Sequence, residues 1–234
     1  VTLFGALYRA RTLEGKEVSL HLLPAALLKD SLMLKILGEN MEKLKEVSSS
    51  NVLKVSATLQ GEEVFVLEME DFSGITLNDY LRDPDRCRGA APSDVSDVIR
   101  GVSEAVRAVR EVGLSHLNLT PDNILISSKG QVKVFGFGLL EAISRRRFEV
   151  FVSSAVIPIA ETETGAHLTS LDVISPEFRN DEDYDVRADV YSIGLLMLYI
   201  LTGRTELVED EKLNILRPEV SPGWDLFLER AMAP

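Results

Sequence analysis

The hydrophobic periodicity of the chain changes at Ser73-Gly74. Before this point, short apolar runs of the kind found in β-strands are interrupted by one helical stripe from Ser31 to Val47. After it, apolar residues recur mostly every three or four positions, as in helices, around one predicted hairpin at 124–135. This order predicts an α+β fold, with a β-rich lobe at 1–72 and a mainly helical lobe at 73–234.

The individual elements follow from local signals. The predicted strands are Leu3 to Arg11, Val18 to Leu23, Val52 to Gln60, Glu63 to Glu70, Ile124 to Ser127 and Gln131 to Phe135. A long helix opens at Pro92, where Ser93 is expected to cap the first amides, and Gly113 ends it. Ala188 to Gly203 is apolar around most of its circumference, which predicts a buried central helix. Leu139 to Ile174 is expected to be irregular.

Charge and composition exclude several classes of function. With 25 basic and 37 acidic residues the net charge is -12, so we expect no nucleic-acid partner and no membrane contact within this segment. The longest apolar run, Tyr191 to Leu201, is about half of the ~20 residues that cross a bilayer. The single cysteine, Cys87, excludes an internal disulfide, and His21, His116 and His167 lack zinc-ligand spacing. We expect a cytoplasmic protein, or the cytosolic part of a larger membrane-anchored one.

The chemistry is carried by one loop, which reads His116-Leu-Asn-Leu-Thr-Pro-Asp-Asn-Ile-Leu-Ile126 and is followed by Gly136-Phe-Gly138. It resembles the His-Arg-Asp-Leu-x-x-x-Asn and Asp-Phe-Gly motifs of protein kinases, most similarly the bacterial eukaryotic-like Ser/Thr kinases. In that family the first Asp receives the substrate hydroxyl proton and the second binds magnesium. Asn118 and Gly136 occupy these positions here. An amide is no general base and glycine offers no cation ligand, so the resemblance implies a pseudokinase.

Further positions of the family are altered in this sequence. His21 stands where a lysine binds the nucleotide phosphates, with a packing or surface role as the alternative. Asn40 stands where a helix carboxylate pairs with that lysine. Thr120 replaces the lysine that contacts the transferring phosphate. Asn123, the second magnesium position, is retained, but alone it should hold magnesium poorly, and capping its turn is the alternative role. We therefore expect no metal site.

The resemblance also outlines a vestigial nucleotide cleft. Besides His21, its positions are Gly5 as the third glycine of the phosphate loop, Leu7, Ser19 and Leu125 around the adenine, Met69 as gatekeeper, and Glu70 to Phe72 as the hinge. The hinge of this family binds adenine through backbone atoms. The side chains at these positions therefore do not decide whether a nucleotide binds. We expect no cofactor, with ATP bound without magnesium as the alternative.

Packing positions of the family are better retained than its charged ones. His116, Phe137, Leu44 and Val55 match an internal apolar spine of the kinase fold. Asp189, at the start of the predicted buried helix, is expected to accept hydrogen bonds from backbone amides of the 116–126 loop. The match covers most of the chain and lacks only the first glycines of the phosphate loop and the last helices of the large lobe, so we expect an incomplete large lobe.

The segment between Gly138 and Ser175 takes the place of the family's activation loop, and its part 145–170 is the candidate partner-binding loop. It contains Arg145 to Arg147 and then the apolar stretch Phe148 to Ile159, which predicts either a docking patch for a protein partner or a plug for the cleft. The hypothesis is a non-enzymatic regulatory or scaffolding module in signalling. One alternative is a weak, atypical Ser/Thr kinase that uses Asp122, Glu141 or another carboxylate as a substitute metal ligand. The other is a non-catalytic ATP sensor.

Overall fold

The structure, a computed structural model, describes residues 5–23, 30–61, 64–83, 90–143, 168, 172–180, 183–208 and 211–233. Its elements in chain order are β1 (Ala6–Arg11), β2 (Glu17–Leu23), α1 (Ser31–Glu46), β3 (Val55–Gln60), β4 (Phe65–Glu70), β5 (Gly74–Thr76), α2 (Leu77–Leu81), α3 (Pro92–Arg110), a 3₁₀ turn (Pro121–Asn123), β6 (Ile124–Ser127), β7 (Val132–Val134), α4 (Leu139–Ala142), α5 (Pro176–Arg179), α6 (Arg187–Thr202), α7 (Leu213–Leu216) and α8 (Pro222–Ala231). No helix within these ranges is long and apolar enough to cross a membrane.

The first lobe is an antiparallel sheet with one helix packed on it. Its strands lie in the order β1-β2-β4-β3, and α1 contacts β3. The predicted helical stripe is confirmed, since Leu37, Met41 and Leu44 are buried against the sheet. Asp30, which the sequence did not single out, caps α1 by accepting hydrogen bonds from the amides of Leu32 and Met33.

The second lobe is mainly helical around a small sheet of β5, β6 and β7. Helix α3 buries its valine face against α6 and β7, as its periodicity predicted. Helix α6 is buried over most of its length because it is apolar on nearly every side, and it ends at Gly203, whose φ is 69°. The two-lobed α+β fold predicted from the sequence is therefore confirmed.

Four local predictions were wrong. Residues 74–76, expected to begin the helical part, form β5 and pair with β6. Ser93 lies inside α3 and caps nothing, because Pro92 takes the first helical turn and the cap position falls on Ala91. The strand expected from Val52 begins at Val55, since Val52 bridges to Val134 instead. The predicted irregular segment opens with helix α4, packed on α1. The strand beginnings predicted at Leu3 and Glu63 lie outside the described residues.

The connection from α1 to β3 joins the two lobes. The amide of Val134 donates to Asn51 O over 2.8 Å, and the amide of Leu53 donates to Val134 O over 2.9 Å. The Asn51 side-chain amide adds a bond of 2.9 Å to Val132 O. Residues 51–53 are therefore fastened to β7, which leads directly into Gly136.

Two helical glycines allow a matched test of packing between α3 and β7. A Cβ at Gly101 would lie 2.7 Å from Val132 Cβ, whereas no heavy atom of the described residues lies within 4 Å of a Cβ at Gly38. We expect Gly38→Ala to raise the free energy of unfolding by about 1 kcal/mol through helix propensity alone. Gly101→Ala should lower it by about 1–3 kcal/mol through overpacking, despite the same gain in propensity. Urea unfolding measures both, and stabilisation by Gly101→Ala would contradict this packing.

Candidate functional site

The 116–126 loop is held by a buried carboxylate on α6. Asp189 accepts hydrogen bonds from the amides of His116 (2.9 Å) and Leu117 (2.7 Å), which confirms the role predicted for it. Leu117 has a φ of 63°, a left-handed conformation that costs a residue with a side chain about 1–2 kcal/mol. The bond from its amide offsets this strain. Burial raises the pKa of the Asp189 carboxyl, while its two backbone bonds lower it.

Asn118 is buried at the position of the family's catalytic carboxylate. Its backbone amide donates to His116 Nδ1 over 3.2 Å, and its carbonyl accepts from the amide of Thr120 over 2.9 Å. The side-chain Oδ1 has no hydrogen-bond partner among the described residues. The loop is thus closed by its backbone, and the neutral amide side chain takes no part in holding it.

Gly136 faces Asn123 and His116. A Cβ at Gly136 would lie 3.0 Å from Asn123 Nδ2 and 3.5 Å from His116 Nε2, and the glycine has a φ of 98°. Asn123 Oδ1 accepts a hydrogen bond of 2.6 Å from the Thr120 hydroxyl, so this amide presents its nitrogen to position 136. Thr120 and Asn123 therefore bond to each other across the turn through their side chains, and no side chain caps the turn within the described residues.

Two histidine–phenylalanine pairs flank Gly136. His21 is fully buried and meets Phe135 edge to face, with ring centroids 5.5 Å apart, and His116 meets Phe137 in the same way at 4.8 Å. His116 Nε2 also donates to Phe135 O over 3.0 Å, which leaves Nδ1 to accept from the loop. Burial lowers the pKa of His116 to about 4. Its imidazole is therefore uncharged at neutral pH and packs against the Phe137 ring. The packing alternative for His21 agrees with its position.

Asn40 ties α1 to the loop that follows Gly136. Its side-chain amide donates to Gly138 O over 2.9 Å, and this bond is buried. Gly138 has a φ of 71°, and a Cβ there would lie 3.1 Å from Asn40 Cβ, so only glycine fits easily. The neighbouring Glu39 is exposed and lies 3.9 Å from Lys35. A neutral hydrogen bond thus stands where the family has an ion pair, and sequence reasoning did not predict this bond.

Of the other cleft positions, Leu7, Ser19 and Met69 lie on paired strands of the first lobe, and Leu125 lies on β6 of the second. Leu7 is opposite His21 in the β1–β2 pair, and Ser19 is opposite Met69 in the β2–β4 pair. Ser19, Met69 and Leu125 are all buried in the described structure. At Gly5, a Cβ would lie 1.8 Å from Leu22 O, so the backbone approach to β2 requires glycine there.

The hinge carries an ion pair that sequence reasoning missed. Lys133 Nζ lies 2.6 Å from Glu70 Oε1, and its side chain is 9% exposed. The same ammonium group donates to Val52 O and lies 5.8 Å from the centre of the Phe72 ring. The signal in the sequence is a single lysine between two apolar strand residues of β7. Glu70 and Phe72 therefore also hold the hinge to the small sheet of the second lobe.

The two carboxylates considered as substitute metal ligands have other partners. Asp122 accepts a hydrogen bond of 2.9 Å from Asn78 Nδ2, and Glu141 accepts one of 3.0 Å from the amide of Ser115. Burial raises the pKa of Glu141 from 4.5 to about 7, and the negative Asp189 adds to the shift. Within the described ranges, no group of three or more His, Cys, Asp or Glu side chains could hold a metal ion.

The partner segment proposed from the sequence, 145–170, lies outside the described residues except for Leu168, which is buried.

The proton on Glu141 makes stability depend on pH. Because its folded pKa of about 7 exceeds the ordinary 4.5, its contribution is complete below about pH 4.5 and is lost as pH rises through about 7. Glu141→Gln keeps an acceptor for Ser115 but cannot titrate. We expect the unfolding free energy of the native protein, relative to this variant, to fall as pH rises through this window in urea titrations. His116 acts oppositely but is common to both proteins, so parallel pH profiles would contradict the assignment.

Several known proteins resemble this chain in sequence. The family model described as "Protein kinase domain" matches residues 4–222. The probable serine/threonine-protein kinase PknB of Bifidobacterium longum (strain NCC 2705) is 26% identical over 243 residues, covering 94% of this chain and 33% of the relative. The serine/threonine-protein kinase PknL of Mycobacterium tuberculosis (strain H37Rv) is 38% identical over 150 residues, covering 64% and 33%. The chain therefore spans about a third of the length of these relatives.

The fold has a solved counterpart. A crystal structure of the Mycobacterium tuberculosis PknI kinase domain matches with a TM-score of 0.74 at 19% sequence identity, and the match covers 100% of this chain and 84% of that chain. Since the family model covers most of the sequence and the two-lobed fold agrees with it, the chain belongs to the protein kinase domain family.

Proposed function

We propose that this kinase-family domain does not transfer phosphate and acts as a regulatory or scaffolding module in signalling. The observation that carries the proposal is that both catalytic carboxylate positions of the family are altered, to the buried Asn118 and to the half-buried Gly136. The first cannot accept a proton as a carboxylate would, and the second offers no ligand. The space beside Gly136 is bounded by Asn123 Nδ2, which is a hydrogen-bond donor and repels a cation.

The energetic consequence is large. Removing one preorganised electrostatic group typically costs ~3–4 kcal/mol of transition-state stabilisation. Loss of the phosphate lysine at His21, the base at Asn118 and the metal ligand at Gly136 would cost ~10 kcal/mol if independent, a factor of ~10⁷ in rate. The effects of such groups are rarely additive, but the loss of even two of these three groups would remove ordinary turnover.

The donor set does not fit magnesium. Magnesium prefers several oxygen ligands in a near-octahedral arrangement. Here Asn123 Oδ1 is bonded to Thr120, Asp122 to Asn78, and Glu141 to the amide of Ser115. Without the divalent ion and the lysine, a triphosphate would bring its negative charge into a cleft of an acidic chain, so we propose that the domain works without ATP.

The retained framework supports a role that depends on shape. His116 and Phe137 meet edge to face, Leu44 and Val55 are buried, and Asn40 keeps α1 attached to the loop after Gly136. A domain built in this way presents fixed surfaces without a catalytic cycle. A weak kinase is the second candidate, because the curated relatives are named as serine/threonine-protein kinases.

A phosphotransfer assay tests the main proposal. We expect the protein, incubated with γ-³²P-labelled ATP and magnesium or manganese, to label neither itself nor a generic basic substrate protein above the Asn118→Ala variant. The variant is the matched control, because it is purified in the same way and any contaminating kinase would label both samples. Incorporation that is lost on Asn118→Ala would establish the weak-kinase alternative instead.

Thermal unfolding tests nucleotide binding separately. A ligand at 100 times its Kd stabilises the folded state by about 2.7 kcal/mol, so even a Kd of about 10 µM would move the midpoint at about 1 mM nucleotide. We expect no shift with ATP or ADP, with or without magnesium. A shift with ATP alone would support the sensor alternative, and its loss in a Ser19→Leu variant, which fills the adenine position, would place the nucleotide in the cleft.

A further inference from the structure

The turn 138–142, which contains α4, is attached to the residue that precedes the 116–126 loop. The amide of Gly138 donates to Ser115 O over 3.1 Å, and the amide of Ser115 donates to Glu141 Oε1 over 3.0 Å. The backbone of Ser115 is therefore bonded to this turn through both its carbonyl and its amide.

The same turn is attached to α1. The Asn40 side-chain amide donates to Gly138 O over 2.9 Å, and α4 packs on α1. A helix of only four residues has almost no stability of its own, because nucleation fixes several residues for each hydrogen bond gained. The position of α4 thus depends on its tertiary contacts, and Glu141 makes one of them with an ionisable group.

Two carboxyl groups share the amides at the start of the loop. Ser115 donates to Glu141, whereas His116 and Leu117 donate to Asp189. Asp189 is 2% exposed, so water screens its charge poorly. Because like charges in one site disfavour each other, this cluster accommodates one anion better than two.

The other ionisable groups around Glu141 do not restore the balance. Lys43 of α1 favours the anionic form of Glu141, but its effect is smaller than those of burial and of Asp189. Burial, and then the charges of Glu141 and Asp189, raise the pKa of Tyr184, which precedes α6, so its phenol is neutral. Burial lowers the pKa of His116 to about 4, so its ring supplies no positive charge near neutral pH.

We propose that the turn 138–142 is a proton-controlled latch, which holds α1 to the loop while Glu141 is neutral and detaches from Ser115 when Glu141 ionises. In the detached state the carboxylate is hydrated and no longer faces Asp189. The open fraction rises with pH because the open state binds fewer protons. The latch needs neither nucleotide nor phosphotransfer, so it is independent of the proposed loss of catalysis.

The pH window follows from the pKa of Glu141 in the two states. It has the ordinary value of 4.5 when the latch is open, and burial raises it to about 7 when the latch is closed. The closed state is therefore favoured most below about pH 4.5 and loses this advantage as pH rises to about 7. Since Glu141 is partly exposed, we expect the ratio of open to closed molecules to rise at least about tenfold between about pH 5 and pH 7.5.

Amide hydrogen exchange followed by NMR on the whole domain measures this opening. The reporters are the amides of Ser115 and Gly138, and the reference is the amide of Val134, which donates to Asn51 O outside the turn. We expect the reporters to be less protected than the reference and nearly insensitive to about 1 M urea, as in local opening. Their protection factors should fall at least about tenfold across the pH window. A single protection factor and urea dependence at all three amides would overturn the proposal, because exchange would then need global unfolding.

Two conservative variants identify the titrating group. Glu141→Gln keeps an acceptor for Ser115 but cannot ionise, so the protection of the reporters should no longer fall as pH rises. Asp122→Asn is the matched control, since Asp122 also accepts a hydrogen bond from an amide nitrogen, that of Asn78, and it should leave the tenfold change intact. Persistence of the change in Glu141→Gln, or its loss in Asp122→Asn, would overturn the assignment to Glu141.

A direct titration of the native protein needs no variant that alters the latch chemistry to fold. With ¹³C-labelled glutamate carboxyls, one signal should titrate with a pKa near 7, and the amide shift of Ser115 should follow it with the same midpoint. The side-chain amide shift of Asn40 should have this midpoint too, because α1 is bonded to the same turn. Midpoints near 4.5 for all glutamate signals would overturn the proposal.

Discussion

The two backbone hydrogen bonds accepted by Asp189 hold the loop on which the site is built. They run from a buried carboxylate on α6 to consecutive amides, one of them on Leu117, whose backbone is left-handed. Removing such a partner leaves buried donors unsatisfied, at about 1–3 kcal/mol each. None of the altered catalytic side chains contributes to this anchor. The loop can therefore keep its shape while Asn118 replaces a carboxylate, because the groups that fold it and the groups that would do chemistry on it are different.

Three of the altered positions make neutral contacts with neighbouring groups. Thr120 bonds to Asn123, Asn40 bonds to Gly138 O, and His21 packs on Phe135. Each replaces a charge of the family pattern with a neutral contact, which avoids burying ions that no nucleotide or metal would balance. The ionised groups near the hinge are instead paired, as Lys133 is with Glu70. In this domain the interior is largely neutral, and unbalanced charge is found on the surface, where it can contribute to recognition.

Much of the fold could be read from the sequence, because it depends on patterns that local physics imposes. The stripe of α1, the valine face of α3 and the apolar circumference of α6 each predicted burial correctly. Two predicted boundaries were wrong, one for a local reason and one for a tertiary reason. Pro92 occupies the first turn of α3, so the cap position falls on Ala91. Val52 forms a bridge with Val134 instead of beginning β3. The strand β5 was missed because three residues with a glycine carry no periodicity, and only the edge of β6 makes them a strand.

Order and spacing along the chain are sufficient to predict the family pattern, the two-lobed architecture and the residue at each catalytic position. The contacts that those residues make depend on the folded chain. The orientation of Asn123, the bond from Asn40 to Gly138 and the pairing of Lys133 with Glu70 join residues that are distant in sequence or that compete for the same atoms. A linear pattern cannot rank such contacts, because their energies depend on burial and on which donor reaches which acceptor.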